Sequence, residues 1–214
     1  MIVTICSGGQ LGQWALPYMK QGDYIIGVDH GAAFLVEHGI SPHLSIGDFD
    51  SVTPQQYEAI QQNSGSFMGF DAIDKNYTDT HLAVMHALKL KPQLVLLIGA
   101  LGTRFDHSLS NVHILEAALK EQVPMRLIDE HNCIQIMDNT APLIIERAHY
   151  RYVSLLPHSK EVKNIKLRGF KYPLRDEPLS LTRGLSLGIS NELIEEQGTI
   201  SIASGQLLVI QAID

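Results

Sequence analysis

Residues 1–130 alternate short apolar runs with stretches of helical spacing. The apolar runs predict strands at Ile2–Cys6, Tyr24–Val28, Leu44–Ile46, Ser66–Phe70, Leu94–Ile98 and Met125–Ile128. Between them, Ala32, Leu35 and Val36 form one helical stripe, Leu82, Met85 and Leu88 a second, and Leu109, Val112, Leu115 and Leu119 a third. A further helix over Pro54–Gln62 is announced by its start: Thr53 precedes Pro54, and Gln56 follows three residues after Thr53, the pattern of a capping box with proline in the first turn. Strand and helix in alternation predict a mostly parallel sheet with helices on its faces.

After Asp129 the texture changes. Long helical stripes give way to short alternating segments at Tyr150–Leu156, Ile165–Phe170, Leu185–Ile189, Thr199–Ala203 and Leu207–Ala212. Ser204-Gly205 reads as a tight hairpin turn joining the last two. The expected fold class is therefore α/β: a doubly wound, mostly parallel sheet over residues 1–130, then a smaller antiparallel β-sandwich over residues 131–214. The join is short and not rich in Pro or Gly, so the two domains are expected to pack together.

Composition narrows the functional classes. The 214 residues are 45% hydrophobic and 18% charged, which suits a globular protein with a real core. A formal net charge of −7 offers no basic footprint for nucleic acid and no support for a membrane surface. The apolar start at Met1–Cys6 lacks a basic flank and meets Gly8-Gly9 too early for a signal peptide or membrane span. Cys6 and Cys133 lie far apart in sequence and read as free thiols, which points to a cytoplasmic setting. An acidic protein can still bind a polyphosphate when a divalent metal on its own carboxylates offsets the repulsion.

Several turns carry chemistry suited to that role. Gly47-Asp48-Phe49-Asp50-Ser51 follows a strand, and residues two apart on extended backbone face one side, so Asp48 and Asp50 present neighbouring carboxylates. A hard cation such as Mg²⁺ relieves their repulsion; taken alone, the pair also reads as a turn cap beside a solvated acid. Asp74-Lys75-Asn76-Tyr77-Thr78-Asp79 opens a helix: Lys75 offers a point charge for phosphate and Asp79 a third carboxylate, while Thr78 or Asp79 equally suits an N-cap. Gly99–His107 combines glycines for close backbone approach with Arg104, which can clasp a phosphate, and Asp106 and His107, which can also be plain first-turn residues. Val28-Asp29-His30-Gly31 places one more carboxylate at a strand end. Ser7-Gly8-Gly9 matches neither the dinucleotide fingerprint nor the Walker A loop. Such turns meet along one edge of a parallel sheet, and independent caps do not explain why each also carries a group suited to metal or phosphate.

The order of these motifs resembles the thiamine pyrophosphokinase family. That family shows an Asp-Gly-Gly type turn, Gly-Asp-Phe-Asp-Ser, Lys-Asp-x-Thr-Asp, a Gly-rich loop ending Arg-x-Asp-His, and a late Gly-x-Ser-Asn segment. Here they stand as Asp29-His30-Gly31, Gly47–Ser51, Lys75–Asp79, Gly99–His107 and Gly188-Ile189-Ser190-Asn191. The resemblance implies transfer of the pyrophosphoryl group of ATP to the hydroxyl of thiamine by a homodimer with active sites at the subunit interface. It implies Mg²⁺ on Asp48, Asp50 and Asp79 with Asp29 close by. Lys75, Thr78, Arg104 and His107 would face the nucleotide, Ser190 and Asn191 the aminopyrimidine of thiamine, and Asp79 or Asp106 would take the hydroxyl proton. By the same resemblance, residues 1–130 form the ATP- and Mg²⁺-binding catalytic domain, and residues 131–214 bind thiamine and dimerise. Three positions depart from the family pattern: Asn76 where Asp is usual, His30 where Gly is usual, and Thr103 where Gly is common. Two other classes stay open at this point. One is a metal-dependent transferase that holds a nucleotide sugar on Asp48 and Asp50; the other is a non-catalytic thiamine-binding protein, suggested by Asn76.

Overall fold

A computed structural model describes residues 1–69, 77–174 and 178–214. They fall into two compact units, Met1–Glu130 and His131–Asp214. No helix among the described residues is long and apolar enough to cross a membrane.

The first unit opens with β1 (Ile2–Cys6), a 3₁₀ turn at Gln13–Ala15 and the short α1 (Leu16–Met19). It continues with β2 (Tyr24–Val28), α2 (His30–Glu37), β3 (Leu44–Gly47), α3 (Pro54–Asn63) and β4 (Phe67–Gly69). Then come α4 (Asp79–Lys89), β5 (Leu94–Ile98), α5 (Phe105–Lys120) and β6 (Met125–Ile128). The strands lie in the order β4-β3-β2-β1-β5-β6, every neighbouring pair parallel. Val3, Ile5 and Cys6 of the central β1 are fully buried, as expected for a strand covered on both faces. The chain steps outward from β1 to β4 and then returns to the other side of β1 as β5. Right-handed crossovers then place α2 and α3 on one face and α4 and α5 on the other, and α2 packs on α3 while α4 packs on α5.

Local chemistry explains the helix starts. Thr53 Oγ1 accepts from the Gln56 amide at 3.2 Å and Gln56 Oε1 accepts from the Thr53 amide at 2.9 Å, closing the capping box ahead of Pro54. Thr78 caps α4 by accepting from the His81 amide. The buried faces of the two longest helices are rotated from the expected stripes. In α5 the buried residues are Asn111, Ile114, Leu115 and Ala118, while Leu109 is 44% exposed. In α4 they are Asp79, Thr80, Ala83, Val84, Ala87 and Leu88, with Leu82 and Met85 only half-buried. Ala83, Ala87 and Ala118 share these buried faces with the larger Val84, Leu88, Ile114 and Leu115. Each helix thus begins its buried face with polar residues.

Among its described residues the second unit is all β apart from one 3₁₀ turn. Its strands are β7 (Asn132–Met137), β8 (Leu143–Glu146), β9 (Tyr152–Pro157), β10 (Glu161–Val162), β11 (Lys166–Arg168), β12 (Leu179–Ser180), β13 (Gln197–Ser201) and β14 (Leu207–Ala212). Antiparallel β7-β14-β9 and β11-β13-β8 share one core, in which Met137, Val153, Leu155 and Val209 of the first meet Ile145 and Ile200 of the second. This is a sandwich. Two expectations change. Leu185–Gly188 is a 3₁₀ turn, not a strand; Leu185 and Leu187 are 40% and 55% exposed, so the apolar alternation does not mark a buried face. Ser204-Gly205 does not close a hairpin either, because β13 pairs with β11 and β8 while β14 pairs with β7 and β9. That turn instead carries the chain from one sheet to the other, with Gly205 at φ +96°.

Candidate active site

The carboxyl ends of β1, β2, β3 and β5 border a cavity of about 600 Å³ in the first unit. Its lining includes Asp29, Asp48, Asp50 and Asp79 on one side, and Gly99–Arg104 with Asn111 on the other.

Phe49 explains the local form of the Gly47–Asp50 turn. It is 5% exposed, stacks on Phe67 at 4.7 Å and takes a positive φ of 57°. With the phenyl ring anchored inward, Asp48 and Asp50 on either side are left to line the cavity. The Asp50 amide donates to Asp48 Oδ1 at 3.2 Å, which orients that carboxylate. Asp29 ends β2 at a positive φ of 47°, and its Oδ1 accepts from the Phe49 amide at 3.2 Å. The turns after β2 and β3 are thereby joined. Asp79, 9% exposed, is delivered by the first turn of α4. Asp29, Asp48 and Asp79 each offer a carboxylate oxygen, and these atoms lie within 4.8 Å of one another. Asp50 lines the same cavity from its exposed rim and is not one of that close group. The carboxylates gathered most tightly are thus Asp29, Asp48 and Asp79, where the sequence pattern had paired Asp48 with Asp50.

The opposite wall is made of backbone. Ser7 donates to Ile98 O at 2.8 Å, Gly9 to Gly99 O at 2.7 Å and Gln10 to Leu101 O at 3.1 Å, all through main-chain amides. A side chain at Gly9 would put its Cβ 2.4 Å from Gly99 O, so the close approach requires glycine. Ser7 Oγ lies 2.7 Å from Thr80 Oγ1, tying the same loop to α4.

Thr78, Arg104 and His107 also line the cavity. Arg104 donates from Nε and Nη2 to the two carboxylate oxygens of Asp106, at 3.3 and 2.6 Å. The pair is exposed, and this hydrogen bonding holds the Asp106 carboxyl below its usual range and raises Arg104. Asp106 stands in the first turn of α5, outside the residues that line the cavity. Lys75 and Asn76 lie outside the described residues. In the second unit, Asn191 is 6% exposed and its side chain is engaged with main chain: Nδ2 donates to Tyr172 O at 2.7 Å, and Oδ1 accepts from the amides of Tyr172 and Glu192 at 3.1 and 2.9 Å. Ser190 beside it has φ 56° and donates its amide to Ser154 Oγ.

Thr80, Ser108 and Asn111, which the sequence pattern does not single out, also line the cavity, as does Ser7 of the Ser7-Gly8-Gly9 turn. A signal for Asn111 existed: it stands three, four and seven residues before Ile114, Leu115 and Ala118, a polar residue at the head of an apolar face.

A parallel sheet whose carboxyl edge gathers clustered carboxylates, glycine backbone and a guanidinium around one cavity suits an α/β enzyme that handles a phosphate-bearing ligand. Residues 16–127 match the family model described as thiamin pyrophosphokinase, catalytic domain, and residues 142–207 match thiamin pyrophosphokinase, vitamin B1 binding domain. The chain belongs to the thiamine pyrophosphokinase family. Thiamine pyrophosphokinase of Bacillus subtilis (strain 168) is 38% identical over 197 residues, which span 92% of this chain and 91% of the relative. The crystal structure of thiamine pyrophosphokinase from Bacillus subtilis superposes with a TM-score of 0.89 at 34% identity, covering 100% of both chains. The thiamin pyrophosphokinase from Candida albicans, at 14% identity, shares the fold with a TM-score of 0.81 over 99% of this chain and 90% of its own.

Proposed function

We propose that this enzyme transfers the pyrophosphoryl group of ATP to the hydroxyl of thiamine, giving thiamine diphosphate and AMP. Within a chain of this family, the observation that carries the reading is the close grouping of Asp29, Asp48 and Asp79 at the edge of the parallel sheet. An all-oxygen carboxylate set at this spacing fits a hard divalent cation, and Mg²⁺ suits a site shared with phosphate oxygens. When bound there, Mg²⁺ supplies neutralisation of the charge on the polyphosphate. Asp29, Asp48 and Asp79 would hold it, with Asp50 a fourth carboxylate at the rim.

The thiamine hydroxyl oxygen attacks the β-phosphorus, the bond from that phosphorus to the bridging oxygen of AMP breaks, and AMP leaves with that oxygen. Positioning and electrostatics dominate such transfers. The guanidinium of Arg104 would orient the polyphosphate, assisted by Lys75, Thr78 and His107. Of the two candidate proton acceptors, Asp79 lines the cavity, whereas Asp106 is held by Arg104 and is a weak base. Position in the cavity, not basicity, favours Asp79 as acceptor for the hydroxyl proton, since a carboxylate that holds the cation is also a weak base.

The second unit, which matches the vitamin B1 binding model, is assigned to thiamine. Ser190 would contact the aminopyrimidine, with Asn191 holding its loop in shape. A homodimer with interfacial active sites and a cytoplasmic setting complete the proposal; the two buried cysteines, neither in a disulfide, suit a reducing compartment. Incubation with ATP, Mg²⁺ and thiamine tests the reaction, with thiamine diphosphate and AMP forming in equal amounts. Release of AMP without thiamine, or of ADP in its place, contradicts it.

A further inference from the structure

One buried polar group of the cavity has no part in the scheme above. Asn111 lies in the second turn of α5, is only 7% exposed and lines the cavity. Its Nδ2 donates to Ala100 O at 2.7 Å. A carbonyl can only accept, so the amide nitrogen must face Ala100 and the orientation of the carboxamide is settled. Oδ1 has no hydrogen-bond partner among the described residues, yet it is not sealed from solvent. A nearly buried acceptor held rigid on one side and unmatched on the other suits a ligand that brings a donor.

The chemistry of that donor is restricted. Phosphate oxygens are acceptors and would be repelled, so Asn111 is no polyphosphate contact. It also stands on the β5/α5 side of the cavity, whereas the close carboxylates come from the ends of β2, β3 and α4. Between the two lies the crevice of β1 and β5, where the strand order reverses and ligands of such sheets lie. A nucleotide whose polyphosphate meets the carboxylates can extend its nucleoside across this crevice. The donors that ATP carries there are the ribose hydroxyls and the adenine amino group.

We propose that Asn111 Oδ1 accepts a hydrogen bond from the nucleoside part of ATP and so determines which nucleotide is used. This rests on the function proposed above. Sites built around such a bond reject analogues that lack the donor.

The test compares kcat/KM for ATP, 2′-deoxy-ATP, 3′-deoxy-ATP and purine riboside triphosphate in the wild type, N111A and N111D. The wild type is expected to disfavour one analogue by about tenfold, and which one identifies the donor. In N111A that preference falls to about one, because ATP loses the same contact. N111D loses the donor that anchors the group on Ala100 O and sets an acceptor against that carbonyl, so it should lower activity with all four nucleotides. Equal use of all four nucleotides by the wild type overturns the proposal. So does N111A activity that drops uniformly with the preference intact, the sign that Asn111 only holds the Gly99–Arg104 loop. N111S replaces N111A if the alanine variant does not fold. A wild type that forms no AMP from ATP and thiamine overturns the function itself and this proposal with it, a result distinct from equal use of the four nucleotides.

Discussion

Asp29 Oδ1 occupies the space that a side chain at Gly47 would need: a Cβ there would lie 1.8 Å from it. The glycine before Asp48 is thus a condition for Asp29 to reach its carboxylate neighbours. Gly47→Ala should displace the Asp29 carboxylate and break its bond to the Phe49 amide. Turnover should fall by about 10²-fold, and the Mg²⁺ concentration for half-maximal rate should rise. Wild-type Mg²⁺ dependence in this variant would separate Asp29 from the metal.

The carboxylates should rank by geometry. Asp29→Asn, Asp48→Asn and Asp79→Asn should each lower kcat by about 10²–10³-fold, the scale of losing one electrostatic stabiliser. Asp50→Asn, at the rim, should lower it less. Circular dichroism should show the fold retained in all four. An Asp50 variant more damaging than the other three would shift the metal toward the Asp48 and Asp50 pair.

Thr78 tests a cap against a ligand contact. Thr78→Ala removes the acceptor for the His81 amide and should cost about 1 kcal/mol in urea unfolding. Because α4 delivers Asp79 in its next residue, activity should fall as well. Thr78→Ser keeps the hydroxyl and should restore both. Restored stability with activity still lost would point to a role for the threonine methyl in the cavity.

Asn191→Ala leaves the Tyr172 and Glu192 amides and the Tyr172 carbonyl without their partner. The cost should be about 1–3 kcal/mol. Ser190→Ala should leave stability nearly unchanged and raise the KM for thiamine. A thiamine KM that responds to neither change would remove this loop from the binding site.

Cys6 is fully buried in the central strand, and burial pushes its thiol far above the ordinary value. It should remain a neutral, unreactive thiol in the native state even at pH 9. A maleimide should label neither Cys6 nor the buried Cys133 in folded protein, and both in denaturant. Rapid native labelling at Cys6 would show that the sheet opens locally.

Much of the first unit was legible because buried parallel strands are continuous apolar runs. Ile2–Cys6, Tyr24–Val28, Leu94–Ile98 and Met125–Ile128 are strands over just those residues. The second unit was harder. Leu185, Leu187 and Ile189 alternate like a strand, but their exposure shows a surface turn that alternation alone cannot distinguish. Two-residue strands such as Glu161–Val162 carry too little pattern to read. In the cavity, the acidic turns stood out by residue type. The meeting of Asp29 with Asp48 did not, because it depends on the backbone of Gly47 and Phe49 at the end of the neighbouring strand. Asn111 was hidden by a stripe read through Leu109 and Val112, one helix face removed from the buried one.

The loops after β1 and β5 share three main-chain hydrogen bonds and leave no room for a Cβ at Gly9. They form a stitched lintel that neither strand can move without dragging the other. Any reshaping of the cavity as substrates arrive therefore falls to the facing wall, at the ends of β2 and β3 and the head of α4. An insertion in either stitched loop would unpick both.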